Sequence, residues 1–467
     1  MKTIIAEMNV SKKEAIKAMN NALGIKETGV TGGIMTAVII TEDEYRINCL
    51  SKDGVNIGME ILKQKYLEKT GLQWEQIRDL RSPMEYIPLK DVILPKISYT
   101  TPILQDLLKR LKMAVVSPGR KGLEEQFIFD GVKISVGVGG IHSKNTAEII
   151  KPADDEVLLD CDAASLYPSL LISYGFYPKH LGIAFLEVYS GIKDERIEAK
   201  HNGNKTKNET LKLSLNGLSG NLQNEHSWVY SPFAVMQIRM NGQLLLLNLA
   251  ERLIGIGCKM IQYNTDGLFL ICKKNKLDEY NRIIKEFEDF SLLTMETEEF
   301  KSMYQLAIND YFAVTIDDKI KEKGCFITSV KLGKGLTPKI IPKAVQAYFL
   351  HNTPVKKFIE NCTDIKDFLM SEKTGKQWTV EYNNETQQRT NRFYASTNGA
   401  YLRKWKYLDE STSNEKQYQN MLVSSGVTLL NKFDDKSIES RKINYRYYIR
   451  EALLLIEELK PRQLTLW

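Results

Sequence analysis

The chain has 467 residues, 43% of them hydrophobic, with 64 Lys and Arg against 58 Asp and Glu for a formal net charge of +6. That length and apolar content can bury several cores, so three or more compact modules are expected. No apolar run reaches the roughly 18 residues of a membrane span, Met1-Lys2-Thr3-Ile4-Ile5 begins too short an apolar segment for a secretory signal, and six scattered cysteines without a Cys-x-x-Cys pair disfavour zinc, iron–sulfur and disulfide frameworks.

These exclusions lead to the expectation of a cytoplasmic protein with reduced thiols and no membrane partner. The charge distribution is more informative than its total. Lys and Arg cluster at Lys109-Arg110-Lys112, Arg120-Lys121, Lys193 to Lys212, Lys319 to Lys343, Arg403-Lys404-Lys406 and Arg441 to Arg446. One such cluster is as readily a solvated face, but their repetition favours a polyanionic partner.

Along the chain, residues 1–90 mix helical periodicity, at Ser11 to Leu23 and Val55 to Thr70, with a glycine break at Gly29 to Gly33. Pro102 to Met113 reads as an amphipathic helix, followed by strands at Gln126 to Phe129 and Lys133 to Val138 and the turn Gly137-Val138-Gly139-Gly140-Ile141-His142. Next comes the apolar strand Val157 to Asp162, which runs into a helix with Pro168 in its first turn. Helices at Phe185 to Lys200 and Lys207 to Gln223 flank His201-Asn202-Gly203-Asn204 and form a helical hairpin. A helix at Ala234 to Ile254 leads to strand Lys259 to Tyr263, the turn Asn264-Thr265-Asp266-Gly267 and strand Leu268 to Cys272, a strong hairpin signal. Strands and helices alternate to about residue 350, and the remainder reads as mainly helical with a hairpin near Trp378 to Tyr394. No internal repeat or low-complexity tract is present.

A carboxylate where a hydrophobic strand gives way to a helix suits a hard cation, and the amides just after it suit a phosphate. Asp162 at that junction and Asp266 at the hairpin tip are both flanked by strands able to fix them in a sheet. Taken singly each is also an ordinary turn or cap residue. Between them lie Arg196 and Lys200 at i and i+4 on one helix, and Lys212 and Asn216 at the same spacing on the next, with Ser219 and Gly220 continuing that face. Cations so placed could hold a triphosphate and stabilise charge on a leaving pyrophosphate.

Asp162-Ala163-Ala164-Ser165-Leu166-Tyr167-Pro168-Ser169 resembles motif A of family B DNA polymerases. Lys212-Leu213-Ser214-Leu215-Asn216-Gly217-Leu218-Ser219-Gly220 resembles motif B, and Tyr263-Asn264-Thr265-Asp266-Gly267 resembles motif C, in the family's order and spacing. The resemblance covers about residue 90 to the C-terminus. It implies an α+β, multidomain right-hand polymerase with an antiparallel β-sheet palm, helical-hairpin fingers and a mainly helical thumb. The expected division is 1–90 as an N-terminal region and exonuclease remnant, 91–180 and 226–350 as palm, 181–225 as fingers, and 351–467 as thumb and tail.

The activity implied is DNA-directed DNA polymerisation with deoxynucleoside triphosphates on a primer-template, by a nucleotidyltransferase holding two Mg²⁺ ions, with Mn²⁺ as a substitute. Asp162 and Asp266 would be metal ligands, with the backbone carbonyl of Ala163, and Lys212 would complete the catalytic set. The amides of Ser165 and Leu166 would meet the triphosphate, helped by Arg196 and Lys200. Tyr167 would lie beneath the incoming sugar and exclude a 2′-hydroxyl, and Asn216 would support the nascent base pair. Gly139 and Gly140 resemble the template-strand loop of the family without its Tyr. Tyr311, with Lys321 and Lys323, stands where the family touches primer.

Several departures accompany the match. Asn264 occupies the place of the first motif C Asp, and Gly217 and Ser219 replace a Ser and a Tyr in motif B. Residues 1–90 leave little room for the family's 3′–5′ exonuclease, so intrinsic proofreading is expected to be missing, or to reside on a separate exonuclease subunit. The short interval between motifs A and B argues against protein priming. Gln463-Leu464-Thr465-Leu466-Trp467 resembles the peptide by which bacterial and phage polymerases dock on a sliding clamp, with Gln463, Leu464, Leu466 and Trp467 as its anchors; a tail folded onto the thumb is the other reading. A phage or mobile-element replication enzyme in a bacterial cytoplasm is the resulting expectation. The rival from another class is a catalytically silent, polymerase-like accessory that binds primer-template DNA; a pure binder would not need Asp162, Asp266 and Lys212 together. A reverse transcriptase or RNA polymerase is disfavoured by Tyr167 and by the lack of paired aspartates at 264–266.

Overall fold

The computed structural model describes residues 57–460 other than 118–121, 330–337, 408–414, 423, 433 and 435, together with five short strands between residues 4 and 46. The expected helix at Ser11 to Leu23, the glycine break at Gly29 to Gly33 and the tail Gln463 to Trp467 lie outside the described residues. The described chain is mixed α and β, with several antiparallel sheets. It divides into two compact units: residues 1–143 with 155–298, and residues 144–154 with 299–467.

In the first unit, α1 (Ile57–Thr70) and α2 (Pro102–Met113) precede the antiparallel strands β1 (Glu124–Phe129), β2 (Val132–Gly137) and β3 (Gly140–Ser143). The long strand β4 (Glu156–Ala163) enters α3 (Leu166–Tyr174), and α4 (Gly182–His201) and α5 (Lys205–Leu222) form the helical hairpin expected between the two aspartates. Helix α6 (Pro232–Gly255) then leads to β5 (Lys259–Tyr263), β6 (Gly267–Lys273) and α7 (Leu277–Ser291).

The order β5-β6-β4 places the expected hairpin beside the expected motif A strand. Burial explains that arrangement: Val157, Leu158, Leu159 and Cys161 on β4 and Leu268, Phe269 and Leu270 on β6 are all within 4% of full burial. Apolar runs of this kind, covered on both faces, are stable only inside a sheet.

Helix α6 is the hub of this unit. Pro232 follows the N-cap Ser231, whose hydroxyl accepts from the Ala234 amide. Its leucines 244–247, 249 and 253 are fully buried. Buried amide side chains on the same helix capture the backbone of surrounding segments: Asn241 accepts from Leu94 N–H and donates to Val92 O, both at 2.8 Å, and Asn248 donates to Ser98 O at 3.0 Å. Gln243 grips both polar groups of Gly137, accepting from its N–H at 3.0 Å and donating to its carbonyl at 2.9 Å. On the hairpin, the Asn204 side chain caps α5 by accepting from Lys207 N–H at 3.0 Å, and Tyr189 ties α4 to α5 through a 2.8 Å bond to Leu215 O. Helix α1 joins it through Tyr66, which donates to Leu181 O at 2.8 Å, and the Lys65–Glu195 ion pair at 2.6 Å.

In the second unit, β7 (Met295–Ala307, beginning in the first unit), β8 (Asp310–Thr315) and β9 (Ile320–Lys323) form an antiparallel ladder flanked by the short strand Glu148–Ile150. Tyr304 and Phe312 stack across it with ring centroids 4.5 Å apart. Helices α8 (Ile340–His351) and α9 (Val355–Glu360) follow.

The region after residue 351 departs from the mainly helical expectation. Its described residues hold seven strands, β10 (Met370–Lys373), β11 (Thr379–Tyr382), β12 (Glu385–Gln387), β13 (Thr390–Ala400), β14 (Leu402–Tyr407), β15 (Lys416–Asn420) and β16 (Val427–Leu429), before helix α10 (Tyr445–Leu459). They form the sheets β10-β13-β16 and β12-β11-β14-β15. Along β14 and β15 aromatic residues alternate with basic and amide ones rather than apolar with polar, so a search for hydrophobic periodicity passes over strands whose Tyr and Trp content favours them.

Gln243→Leu should strand the buried N–H and carbonyl of Gly137 and lower the unfolding free energy by about 3 kcal/mol, read from denaturant titration. An unchanged midpoint would show that the grip contributes nothing to stability.

Candidate active site

Asp162 and Asp266 belong to the same unit and come together through strand pairing. In the β4–β6 register Cys161 faces Leu268 and Asp162 faces Gly267, the residue after Asp266. The pairing is closed by Ala163 N–H, which donates to the Asp266 carbonyl at 2.7 Å, while Asn264 N–H donates to Gly267 O at 2.8 Å across the hairpin turn. Asp162 is half-buried and Asp266 exposed. A Cβ at Gly267 would overlap Asp162 Oδ1 and come within 2.9 Å of Cys161 O, so the carboxylate lies directly over a residue that must lack a side chain. Asn264 is 6% exposed, with its Nδ2 3.5 Å from Gln262 Oε1.

After β4 the chain turns sharply. Ser165 has φ 53° and ψ 55°, in the left-handed region that a residue with a side chain seldom occupies. This places it at the N-cap of α3, ahead of the helix's first free amides. Ala164 N–H donates to Thr294 O at 2.8 Å, and Ser169 Oγ donates to Ala164 O at 3.1 Å.

The cations approach this turn from α4. Arg196 Nη1 donates to Ser165 Oγ at 3.1 Å and its Nε to Asn208 Oδ1 at 3.2 Å. One turn earlier on the same helix, Lys193 Nζ donates to Ser169 Oγ at 3.3 Å. Burial lowers the Lys193 pKa, with Arg196 acting in the same direction and Asp194 against it. Lys200, Lys212 and Asn216 are exposed on the hairpin. Leu166 is buried in the core, so at most its amide is available to a ligand.

Tyr167 connects the two motifs to the glycine turn. An ideal Cβ on Gly140, whose φ of +121° few side-chain residues adopt, would lie 3.6 Å from Thr265 Cγ2 and 3.7 Å from the Tyr167 hydroxyl. The turn after β2, the hairpin tip and the start of α3 thus meet at one point. Burial raises the Tyr167 pKa, Arg239 opposes this and Asp266 adds to it, so the ring carries a neutral phenol. Arg239 donates to Val138 O at 3.3 Å, and burial lowers its own pKa, with Tyr167 opposing. Beside this point is a groove of about 520 Å³ whose lining includes Val116, Val138, Gly220, Gln223, Met236 and Arg239. Gly139 is exposed at its turn.

Tyr311, Lys321 and Lys323 lie in the second unit, on β8 and β9. Lys323 Nζ sits 5.4 Å from the centroid of the Tyr311 ring, and Lys321 Nζ 5.9 Å from that of Phe300. Tyr311 is fully buried, so a primer contact from its side chain is not available in this arrangement and that expectation falls on the two half-buried lysines. In the sequence Lys193 stands out only as the start of a basic cluster, and Arg239 and Gln243 do not stand out. The signal for the latter pair was available, since they stand at i and i+4 as polar residues on a leucine-rich helix.

Among the described residues there is no cluster of three or more His, Cys, Asp or Glu able to hold a metal. Asp162, Asp266 and the Ala163 carbonyl supply oxygen donors only. Mg²⁺ is commonly held by one or two carboxylates and completes its shell with water and substrate phosphates, so this donor set fits it.

No protein-family model matches the chain, and no curated protein does. Among solved structures, the family B DNA polymerase from the hyperthermophilic archaeon Pyrobaculum calidifontis is similar over 78% of this chain and 50% of that one, with 14% identity and a TM-score of 0.42. The chain therefore spans about half the length of that protein. A likeness of this extent carries no functional argument, which rests on the residues.

Gly267→Ala is expected to displace the Asp162 carboxylate and destabilise the unit by about 1–3 kcal/mol, as overpacking does, measured as a lower thermal midpoint. A wild-type midpoint would mean that Asp162 does not lie over Gly267.

Proposed function

We propose that the chain is a template-directed DNA polymerase that adds deoxynucleotides to a primer 3′-hydroxyl, of family B type, from a phage or mobile element acting in a bacterial cytoplasm and without its own 3′–5′ exonuclease. The observation that carries this reading is the β4–β6 register, which sets Asp162 beside Asp266, with Arg196 reaching the Ser165 turn immediately after. Asp162, Asp266 and the Ala163 carbonyl would hold two Mg²⁺ ions, or Mn²⁺ in their place. When bound, these ions would supply the positive charge that makes the 3′-hydroxyl acidic and steadies the leaving pyrophosphate.

This chain's residues divide the remaining work. The amides at the start of α3 present the positive end of a helix to phosphate. Arg196, Lys200 and Lys212 neutralise the triphosphate, and Lys193 adds charge behind them. Tyr167 lies under the incoming sugar, held by its contact with the Gly140 turn and by Arg239, and leaves no space for a 2′-hydroxyl. Asn216 supports the nascent pair. Gly139, Gly140 and the groove beside Arg239 receive the template strand, and Lys321 and Lys323 hold primer phosphates. A sliding clamp gripping Gln463, Leu464, Leu466 and Trp467 and a separate exonuclease subunit are the partners of this scheme.

Primer extension with Mg²⁺ tests it. Wild type should extend with deoxynucleotides, and Asp162→Ala should lose ~10²–10³-fold or more in rate, the scale expected when a group stabilising the transition state is removed; extension that survives the substitution at the wild-type rate would sink the assigned site. Tyr167→Val should admit ribonucleotides more readily, and unchanged sugar selection would refute the role given to that ring. Deleting residues 463–467 should reduce product length with a clamp present and leave distributive synthesis intact, whereas equal losses in both assays would remove the clamp from the scheme.

A further inference from the structure

The outer sheet β12-β11-β14-β15 carries an aromatic and cationic face to which the proposed polymerase chemistry gives no role. In the β14–β15 register, Arg403 pairs with Asn420, Trp405 with Tyr418 and Tyr407 with Lys416. Alternation along each strand puts these six side chains on one face. The opposite face goes to the core, since Leu402 and Val380, which lies across from Lys404, are each 1% exposed.

On the outward face Tyr418 is 50% exposed and Tyr407 42%. Trp405 meets both, edge-on to Tyr407 with centroids 5.4 Å apart and tilted toward Tyr418 at 6.5 Å. Cations are interleaved with the rings. Lys416 Nζ lies 3.9 Å from the Trp405 ring centroid and the Arg403 guanidinium 5.5 Å from that of Tyr418, while Arg403 also pairs with Glu381 at 2.8 Å. Cross-strand aromatic pairs can serve simply to stabilise a polar sheet. Such a role requires neither two half-exposed tyrosines nor cations over both Trp405 and Tyr418.

We propose that this face binds single-stranded nucleic acid, with bases stacking on Trp405, Tyr407 and Tyr418 and phosphates meeting Arg403 and Lys416. Arg403 and Lys416 outweigh Glu381, which lies across from Arg403, so the face keeps a positive charge complementary to a polyanion, and its rings offer flat apolar surface. Unpaired bases can use that surface, whereas in a duplex they are already stacked. The proposal does not depend on the polymerase reading, because the face lies in the second unit and takes no part in the chemistry assigned to Asp162.

The test uses the full chain and a bromodeoxyuridine-substituted oligo-dT, in wild-type and Asp162→Ala backgrounds alike. Photochemical cross-links are expected in the peptide spanning β14 and β15. Trp405→Ala and Tyr418→Ser should each weaken binding at least ~5-fold, the low end for a lost stacking contact. Trp405→Phe should retain most of the affinity, and circular dichroism should report an unchanged fold for all three. Arg403→Gln should flatten the dependence of log K on log salt by ~0.7, the contribution of one phosphate contact to a single strand. Absence of cross-links from that peptide, wild-type binding by both Trp405→Ala and Tyr418→Ser, or equal cross-linking of that peptide by a bromodeoxyuridine-substituted duplex would overturn the proposal. Loss of extension in Asp162→Ala with binding preserved would leave it standing.

Discussion

The pairing of β4 with β6 is the constraint on which the candidate site depends. Apart from the buried Asp160, the residues between the ends of these two strands are apolar and mostly buried, and the strands reach the surface at their ends. Asp162 and Asp266 occupy those ends, and the Ala163 amide, bonded to the Asp266 carbonyl, fixes their register. A slip of one residue would turn Asp162 to the opposite face of the sheet and separate the two carboxylates. The glycine at position 267 is the local condition for this arrangement, because the space over its Cα is filled by the Asp162 side chain.

Around this pair the same unit assembles its polar groups from distant parts of the chain. The Gly140 turn, the Thr265 tip and the Tyr167 ring converge, and α6 holds the turn through Gln243 and Arg239. Arg196 comes from the helical hairpin to the strained turn at Ser165. Each of these contacts is modest in energy, but together they hold side chains from five segments in fixed relation. That is the preorganisation an electrostatic catalyst requires. In the proposed function the surplus of cations near Ser165 is what allows a triphosphate to approach two carboxylates.

Much of this was legible in the sequence because it rests on local pattern. The strand ending at Asp162, the helical hairpin and the hairpin around Asp266 each have a clear period or turn signature, and their observed bounds differ from the expected ones by a few residues at most. Residues that act across the fold were harder to see. Gln243 and Arg239 look like stray polar residues on a core helix until Gly137 and Val138 are brought against them. The burial of Tyr311 depends on neighbouring strands whose pairing no local pattern announces. After residue 351 only the hairpin near Trp378 to Tyr394 was legible; β14 was not, because Trp405 and Tyr407 alternate with lysines, a pattern that satisfies a two-faced surface sheet and not a hydrophobic core.

The most direct measurement of the central claim is localised cleavage with Fe²⁺ in place of Mg²⁺, in the presence of ascorbate and peroxide. If Asp162 and Asp266 hold one divalent-ion centre, radicals generated there will cut the backbone near both residues, excess Mg²⁺ will suppress both cuts, and Asp162→Ala will abolish them together. Cuts at one aspartate alone, or a pattern unaltered by Asp162→Ala, would contradict the shared site.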